Sequence, residues 1–332
     1  MLLLEQAAGR GEEISVNSEL KPHHVSRCKS LWRLRDTTLL LGRRTLVMGV
    51  VNITPDSFSD GGEFFSSERA VEHGLRLLDE GADLLDLGAE STRPSAFAGD
   101  PLTAAVSAEE EQARLLPVLE AVLKERPGAI VSVDTYKAAT ARAAVAAGSE
   151  IVNDVSGFTW DREMAAACAE LRCGVIAMHT RGTPQEWSKQ TRLAGEELIS
   201  MVRGGLADSM RVAETHGIDR AALVLDPGYG FGKRGDENYA LLSRQAELLE
   251  LGRPLMAGLS RKSFLGRTVQ SRRAGGDLPA LVSAKATESS IETASIAALV
   301  TAILQGASIV RVHAVGAAVE AAAIADAVLA VE

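Results

Sequence analysis

The sequence predicts an α/β protein of the (β/α)8, or TIM, barrel class, with an N-terminal β-hairpin closing the barrel bottom. Three observations point there. A unit of helical stretch, glycine, short β-branched strand and polar residues recurs along the chain; eight strand candidates alternate with helical patterns; and the residues just beyond the strands are polar in a way that helix capping alone does not explain. At 332 residues the chain could hold one large barrel or two medium domains, so the alternation decides and the length does not.

Residues 1–30 show no sustained period and contain Gly11-Glu12-Glu13 and His23-His24. They read as an extension, poorly ordered or loosely docked, ahead of a single domain over 31–332. "LWRLRDTTLLLGRRTLVMGVV" (31–51) alternates around Asp36-Thr37 and breaks again at Gly42-Arg43, which predicts a hairpin leading into a first core strand at 46–51. The repeating unit then appears as "LLDEGADLLDLGAE" (77–90), "AAVAAGSEIVNDVSG" (143–157), "CAELRCGVIAMHT" (168–180) and "AILQGASIVRVH" (302–313). Gly81, Gly148, Gly174 and Gly306 stand where a left-handed residue would end each helix. Strands at 129–133, 222–225 and 254–258 complete the set, with helical patterns such as 111–125 and 137–147 between.

Composition narrows the function. Hydrophobic residues make up 46% and aromatic ones 4%, so the core is built from Ala, Val, Leu and Ile. A net charge of -9 with no concentrated Lys/Arg segment argues against nucleic acid or an anionic membrane as partner. An anionic substrate would need local cations. Cys28, Cys168 and Cys173 lack metal-ligand spacing and read as structural thiols of a reduced compartment. The apolar start Leu2-Leu3-Leu4 is broken by Glu5 and Gln6, too short for a signal peptide or a membrane span, so a cytoplasmic protein is expected.

In such barrels the strand C-termini and the loops after them build the active site. The residues there are Asn52, Asp86 with Glu90, Asp134, Asn153 with Asp154, His179, Asp226, Lys262, and Arg311 with His313. Capping of the following helix accounts for a single Asp or Asn. It explains neither a lysine after the seventh strand nor Arg-x-His ending the eighth. Arg311 and His313, two apart on a strand, share the inward face, where polar groups need a reason.

"NITPDSFSDGG" (52–62), "ESTRP" (90–94), "VDTYK" (133–137), "NDVSG" (153–157), "DPGYGFGK" (226–233), "SRKS" (260–263) and "RVH" (311–313) together resemble the dihydropteroate synthase family, in that family's order and from about Trp32 to the end of the chain. The resemblance implies condensation of 6-hydroxymethyl-7,8-dihydropterin pyrophosphate with p-aminobenzoate, with Mg²⁺ present and pyrophosphate released. It makes Asp226 the acceptor for the pterin's amino and ring N–H edge, with Asp134 and Asn153 on other ring positions. A carboxylate is suited to that paired recognition because charge-assisted bonds are strong and an unsuitable ring would leave it unpaired. Lys262 would meet the pterin carbonyl side. Arg311 would pack flat on the ring and, with His313, Asn52 and Arg93, hold pyrophosphate; a guanidinium suits both tasks. Ser263, at a helix start, would take the p-aminobenzoate carboxylate, with Phe231, Thr92 and Arg93 lining that side. Asn52 would contact Mg²⁺ through a hard oxygen. Arg93, Lys262, Arg311 and His313 are the residues implied to act in catalysis. No enzyme nucleophile is needed, since a neutral aniline nitrogen attacks a carbon bearing a stable leaving group.

Residues 53–66, with Gly61 and Gly62, and residues 89–108 read as covers that exclude competing water. Ala-rich stretches at 294–302 and 317–327 permit close packing within the barrel or between subunits, and the resemblance implies a homodimer through this region. The chain departs from the family in three places: Ala314 stands where Asp usually follows "RVH", "MHTRG" (178–182) replaces the commoner Met-His-Met-Gln-Gly, and "GAES" (88–91) replaces Gly-Gly-Glu-Ser. Alternation sends residue 314 toward the helices, so its change bears on packing more than on chemistry. Two other readings stay open here: a catalytically weak pterin-binding paralogue, and a methyltetrahydrofolate-binding methyltransferase domain, which would not need the first cover, "STRP" or "SRKS".

Overall fold

The computed structural model describes residues 27, 29–53, 62–90, 106–273 and 287–331. Two short strands come first, β1 (Ser30–Arg33) and β2 (Thr38–Leu41), paired antiparallel with Leu31 opposite Leu40. The Leu34 N–H closes the turn on the Thr37 carbonyl. Eight parallel strands follow: β3 (Leu46–Asn52), β4 (Leu84–Gly88), β5 (Val131–Asp134), β6 (Ile151–Asp154), β7 (Gly174–Met178), β8 (Leu223–Asp226), β9 (Leu255–Ala257) and β10 (Ala307–Val312). β10 pairs with β3, Ile309 opposite Leu46, and so closes the TIM barrel that the alternation predicts.

The helices around it are α1 (Gly62–Asp79), α2 (Ala108–Glu125), α3 (Ala138–Ala146), α4 (Met164–Leu171), α5 (Gly195–Thr215), α6 (Glu237–Ser243), α7 (Ser263–Arg273), α8 (Glu288–Leu304) and α9 (Val315–Leu329). Helix α2 starts where its sequence says it should: Ser107 accepts the Glu110 N–H and three glutamates fill the first turn. Thr287 caps α8 in the same way, accepting the Ser290 N–H. No described helix is long and apolar enough to cross a membrane.

Period-2 alternation divides the core in two. Val47, Val51, Leu85 and Leu87 face outward into the helical layer, while Leu46, Met48, Leu84, Ile151, Ile176, Val224, Met256 and Ile309 fill the lower barrel. The hairpin seals that lower end. Trp32, Leu34 and Leu41 join the inner cluster, and Trp32 donates its indole N–H to the Ala222 carbonyl at 2.8 Å. Arg27 is tied to the same end, hydrogen-bonded to Thr45 Oγ1 at 2.7 Å and ion-paired with Asp326 at 2.5 Å. Residues 1–26, and with them most of the expected extension, lie outside the described residues, as does Cys28. Cys168 and Cys173 are buried free thiols.

Two expectations need correction. Gly81, Gly148 and Gly306 have positive φ, but Gly174 does not. Helix α4 ends earlier, on Arg172 at φ 53, and Gly174 is the first residue of β7. Its glycine has another cause: a Cβ there would sit 2.5 Å from Leu34 Cδ2, so a side chain would collide with the hairpin. The first cover was expected over 53–66, whereas α1 already begins at Gly62. Residues 54–61 and 91–105 lie outside the described residues.

Candidate active site

The C-terminal strand ends converge on Arg311. β10 directs it inward, where Nε donates to Asp86 Oδ2 at 2.5 Å and Nη2 to Asp134 Oδ2 at 2.7 Å. Asn153 Nδ2 donates to the same Asp86 oxygen at 3.1 Å. Four strands, β4, β5, β6 and β10, therefore lock one planar group in place. Burial works to lower the Arg311 pKa, and Asp86 and Asp134 outweigh it and raise it. Burial also raises the Asp134 pKa, with Arg311 and Lys262 pulling the other way. Asp86 is fully buried, and its Oδ1 has no hydrogen-bond partner among the described residues.

Asp226 ends β8 beside this group and is buried. Its Oδ1 accepts the Gly228 N–H at 2.7 Å, which fixes the carboxylate plane, and Gly258 places no side chain next to Oδ2. Burial raises its pKa, opposed by that N–H and by Lys262, Lys233 and Arg311. The turn that follows carries Phe231. The Lys262 ammonium lies 4.2 Å from the Phe231 ring centroid, and Trp187 meets the ring edge-on at 5.2 Å. Ser263 opens α7 next to Lys262, exposed, with Arg267 donating to its hydroxyl at 3.2 Å. Lys233, at the end of the same turn, is buried, and burial pushes its pKa down to about 7 against the pull of Asp226.

On the other side of the mouth, Asn52 and His313 line a groove of about 670 Å³ with His73, Arg76 and Arg261. His313 lies one residue beyond β10, and Ser260 holds it, with 2.9 Å to Nδ1 and 3.2 Å from its backbone N–H. The Lys137 ammonium bridges Glu90 and Glu111, and Thr140 donates to Glu111 at 2.7 Å. Thr92 and Arg93 lie outside the described residues. No group of three or more His, Cys, Asp or Glu among the described residues could hold a metal. Asn52 offers one hard oxygen, a donor suited to a cation that keeps most of its shell of phosphate and water.

The structure thus joins Arg311 to Asp134 directly and to Asn153 through Asp86, sets Asp226 and Lys262 with Phe231 beside them, and places Asn52 with His313 in the adjoining groove. Sequence reasoning named Asp86 as a strand-end residue without a role and assigned none to Ser260, Lys137 or Lys233. Each lies within or beside a quoted motif, yet at least one of its partners is on another element or loop.

A closed (β/α)8 barrel whose mouth offers buried carboxylates, an amide and a clamped guanidinium defines a class of proteins that grip a flat, polar ring. Residues 48–313 match the pterin binding enzyme family, and the chain belongs to it. It is 36% identical over 295 residues to the dihydropteroate synthase of Bacillus subtilis, covering 89% of this chain and 92% of that one. Over 275 residues it is 40% identical to the dihydropteroate synthase of Mycobacterium leprae, covering 83% and 90%. It is also 39% identical over 298 residues to the mitochondrial folate synthesis bifunctional protein of Pisum sativum, covering 86% of this chain and spanning only 54% of that longer protein. Among solved structures, Xanthomonas albilineans dihydropteroate synthase with 4-aminobenzoic acid superposes with a TM-score of 0.76 at 39% identity, covering 92% of this chain and all (100%) of that one. The same enzyme in complex with 7,8-dihydropteroate gives 0.73 at 38% identity, covering 91% and 100%.

Proposed function

We propose that this chain is a dihydropteroate synthase, a transferase of folate biosynthesis that condenses 6-hydroxymethyl-7,8-dihydropterin pyrophosphate with p-aminobenzoate to give 7,8-dihydropteroate and pyrophosphate. The observation that carries this is the Arg311 clamp, held by Asp86 and Asp134 beside Asn153 and Asp226, in a barrel shared with relatives of that name. The pterin edge would donate to Asp226 Oδ2, with Asp134 and Asn153 reading other ring positions and Lys262 the carbonyl side. The flat face of Arg311 would lie on the ring. Phe231 under Lys262, with Thr92, Arg93 and Ser263, would line the slot for p-aminobenzoate, and the N–H groups opening α7 would face its carboxylate.

The reaction asks little of acid–base chemistry. The neutral aniline nitrogen attacks the pterin methylene as the C–O bond to pyrophosphate breaks, and the amine then releases its proton. Arg311, His313, Arg93 and Asn52 would stabilise the departing charge, and the slot would hold the amine in line. Mg²⁺ bound with the diphosphate at Asn52 would supply further charge neutralisation. We further propose a single catalytic unit over 31–332 in a reducing cytoplasm, which the free buried Cys168 and Cys173 support. It would act as a homodimer, with Ile324, Val328 and Val331, exposed at the end of α9 and just past it, as part of the contact.

Purified protein given both substrates and Mg²⁺ should release pyrophosphate, and Lys262→Ala should lose activity by about 100-fold. Pterin uptake without release would replace this reading with that of a binding paralogue.

A further inference from the structure

We infer that Lys233 is a positioning residue for the arylamine half of the site, acting through the turn that carries Phe231; the inference rests on the synthase reading above. Lys233 Nζ donates to three backbone carbonyls, Gly228 at 2.7 Å, His179 at 3.2 Å and Phe231 at 3.4 Å. An ammonium has three donors and no acceptor, so this cradle satisfies it completely. Two of the carbonyls belong to the turn after β8, and the third follows β7. The buried cation therefore staples two neighbouring strand exits together.

The turn needs such a staple. Gly228, Gly230 and Gly232 all have positive φ, at 69°, 84° and 71°, a sequence of conformations open to glycine but expensive to hold in one state. Gly228 passes so close to the His179 carbonyl that a Cβ would lie 1.9 Å from that oxygen. Lys233 is the donor these inward carbonyls share, beside the single backbone N–H that each of the two turn carbonyls also accepts. Asn238 Oδ1 takes the Gly230 N–H and Tyr229 bonds Gln245, so the outer side of the turn is also tied. The carbonyl of Phe231 itself takes the Lys233 ammonium and, at the same 3.4 Å, the Arg181 backbone N–H from the β7 exit.

Phe231, between Gly230 and Gly232, is thus placed from below by Lys233, while its ring meets Lys262 and Trp187. Asn153 and Asp134 stand on other strands, away from the turn, and Asp226 is carried by β8 and meets the turn only through the Gly228 N–H. Loss of the ammonium should therefore damage the arylamine slot selectively.

The test uses the full chain, with steady-state kinetics for p-aminobenzoate and calorimetry with 6-hydroxymethylpterin. Lys233→Met should raise KM for p-aminobenzoate roughly tenfold, with kcat and pterin affinity held within about threefold. Lys233→Gln, which keeps two N–H donors, should recover part of the loss, and it carries the test if the Met variant does not fold. Phe231→Ala should give the same selective rise, and combining it with Lys233→Met should add little more. An unchanged KM in folded Lys233→Met, a parallel loss of both ligands, or full additivity in the double variant would overturn the inference. A wild-type protein that releases no pyrophosphate removes the synthase reading first, before any variant is compared.

Discussion

Arg311 reaches Asp86, 225 residues earlier, and Asp134, 177 residues earlier, and these two contacts organise the mouth. Motif reading located Arg311, Asp134 and Asn153 but could not find their common partner, because nothing local in "LLDLG" marks Asp86 as the residue they would share. The carboxylates also carry a pH signature. Burial raises the pKa of both Asp134 and Asp226 above the ordinary 3.8. In the proposed synthase their ionised forms would accept the pterin edge, so protonation would remove binding, and it would set in at higher pH than for an exposed aspartate. Pterin affinity measured by calorimetry should fall as the solution is acidified from neutrality toward 4. The fall should approach about tenfold per pH unit for each proton that must leave on binding. Asp226→Asn should weaken binding by about 2 kcal/mol and flatten part of that dependence. Affinity that stays constant across this range would show that neither carboxylate reads the ligand in its ionised form.

Among the elements, helix starts differ in how they are capped. Ser107 and Thr287 cap α2 and α8 with side-chain oxygens, while Ala314 at the start of α9 supplies none. Instead Glu80, from outside the helix, takes the Gly316 N–H at 3.4 Å. A carboxylate at this position could act as an N-cap. Ala314→Asp should stabilise the protein by about 0.5–2 kcal/mol, seen as a higher midpoint in urea; no gain would mean that Glu80 already serves the helix fully. The three glycines that do end helices could be found from the repeat. Gly174 could not be separated from them, since the left-handed residue that ends α4 is an arginine, a type rarely placed at positive φ.

Over the whole molecule, alternation of apolar strands and Ala-rich helices made the barrel readable, because the strands are short, rich in Val, Ile and Leu, and followed by polar residues. The hairpin was readable as a hairpin from its two breaks, and its packing partners were not, since Gly174, Ala222 and Ile176 are distant in the chain. Trp32 is the largest group in that plug. Trp32→Ala should destabilise the fold by about 3–5 kcal/mol in urea denaturation, with pterin affinity of the remaining folded protein unchanged. A matching loss of affinity would show that the lower barrel sets the geometry of the mouth.

The plug also governs traffic. With Trp32, Leu34 and Leu41 stoppering one end, the barrel is a cul-de-sac, and everything that enters must return by the same doorway. Asn153 and Asp226 are buried within it and Ser263 is exposed at its mouth, so an occupant beside Ser263 would obstruct the way to the depth. In the proposed synthase the heterocycle would therefore arrive before the arylamine, and an early arylamine would stand in the first guest's way.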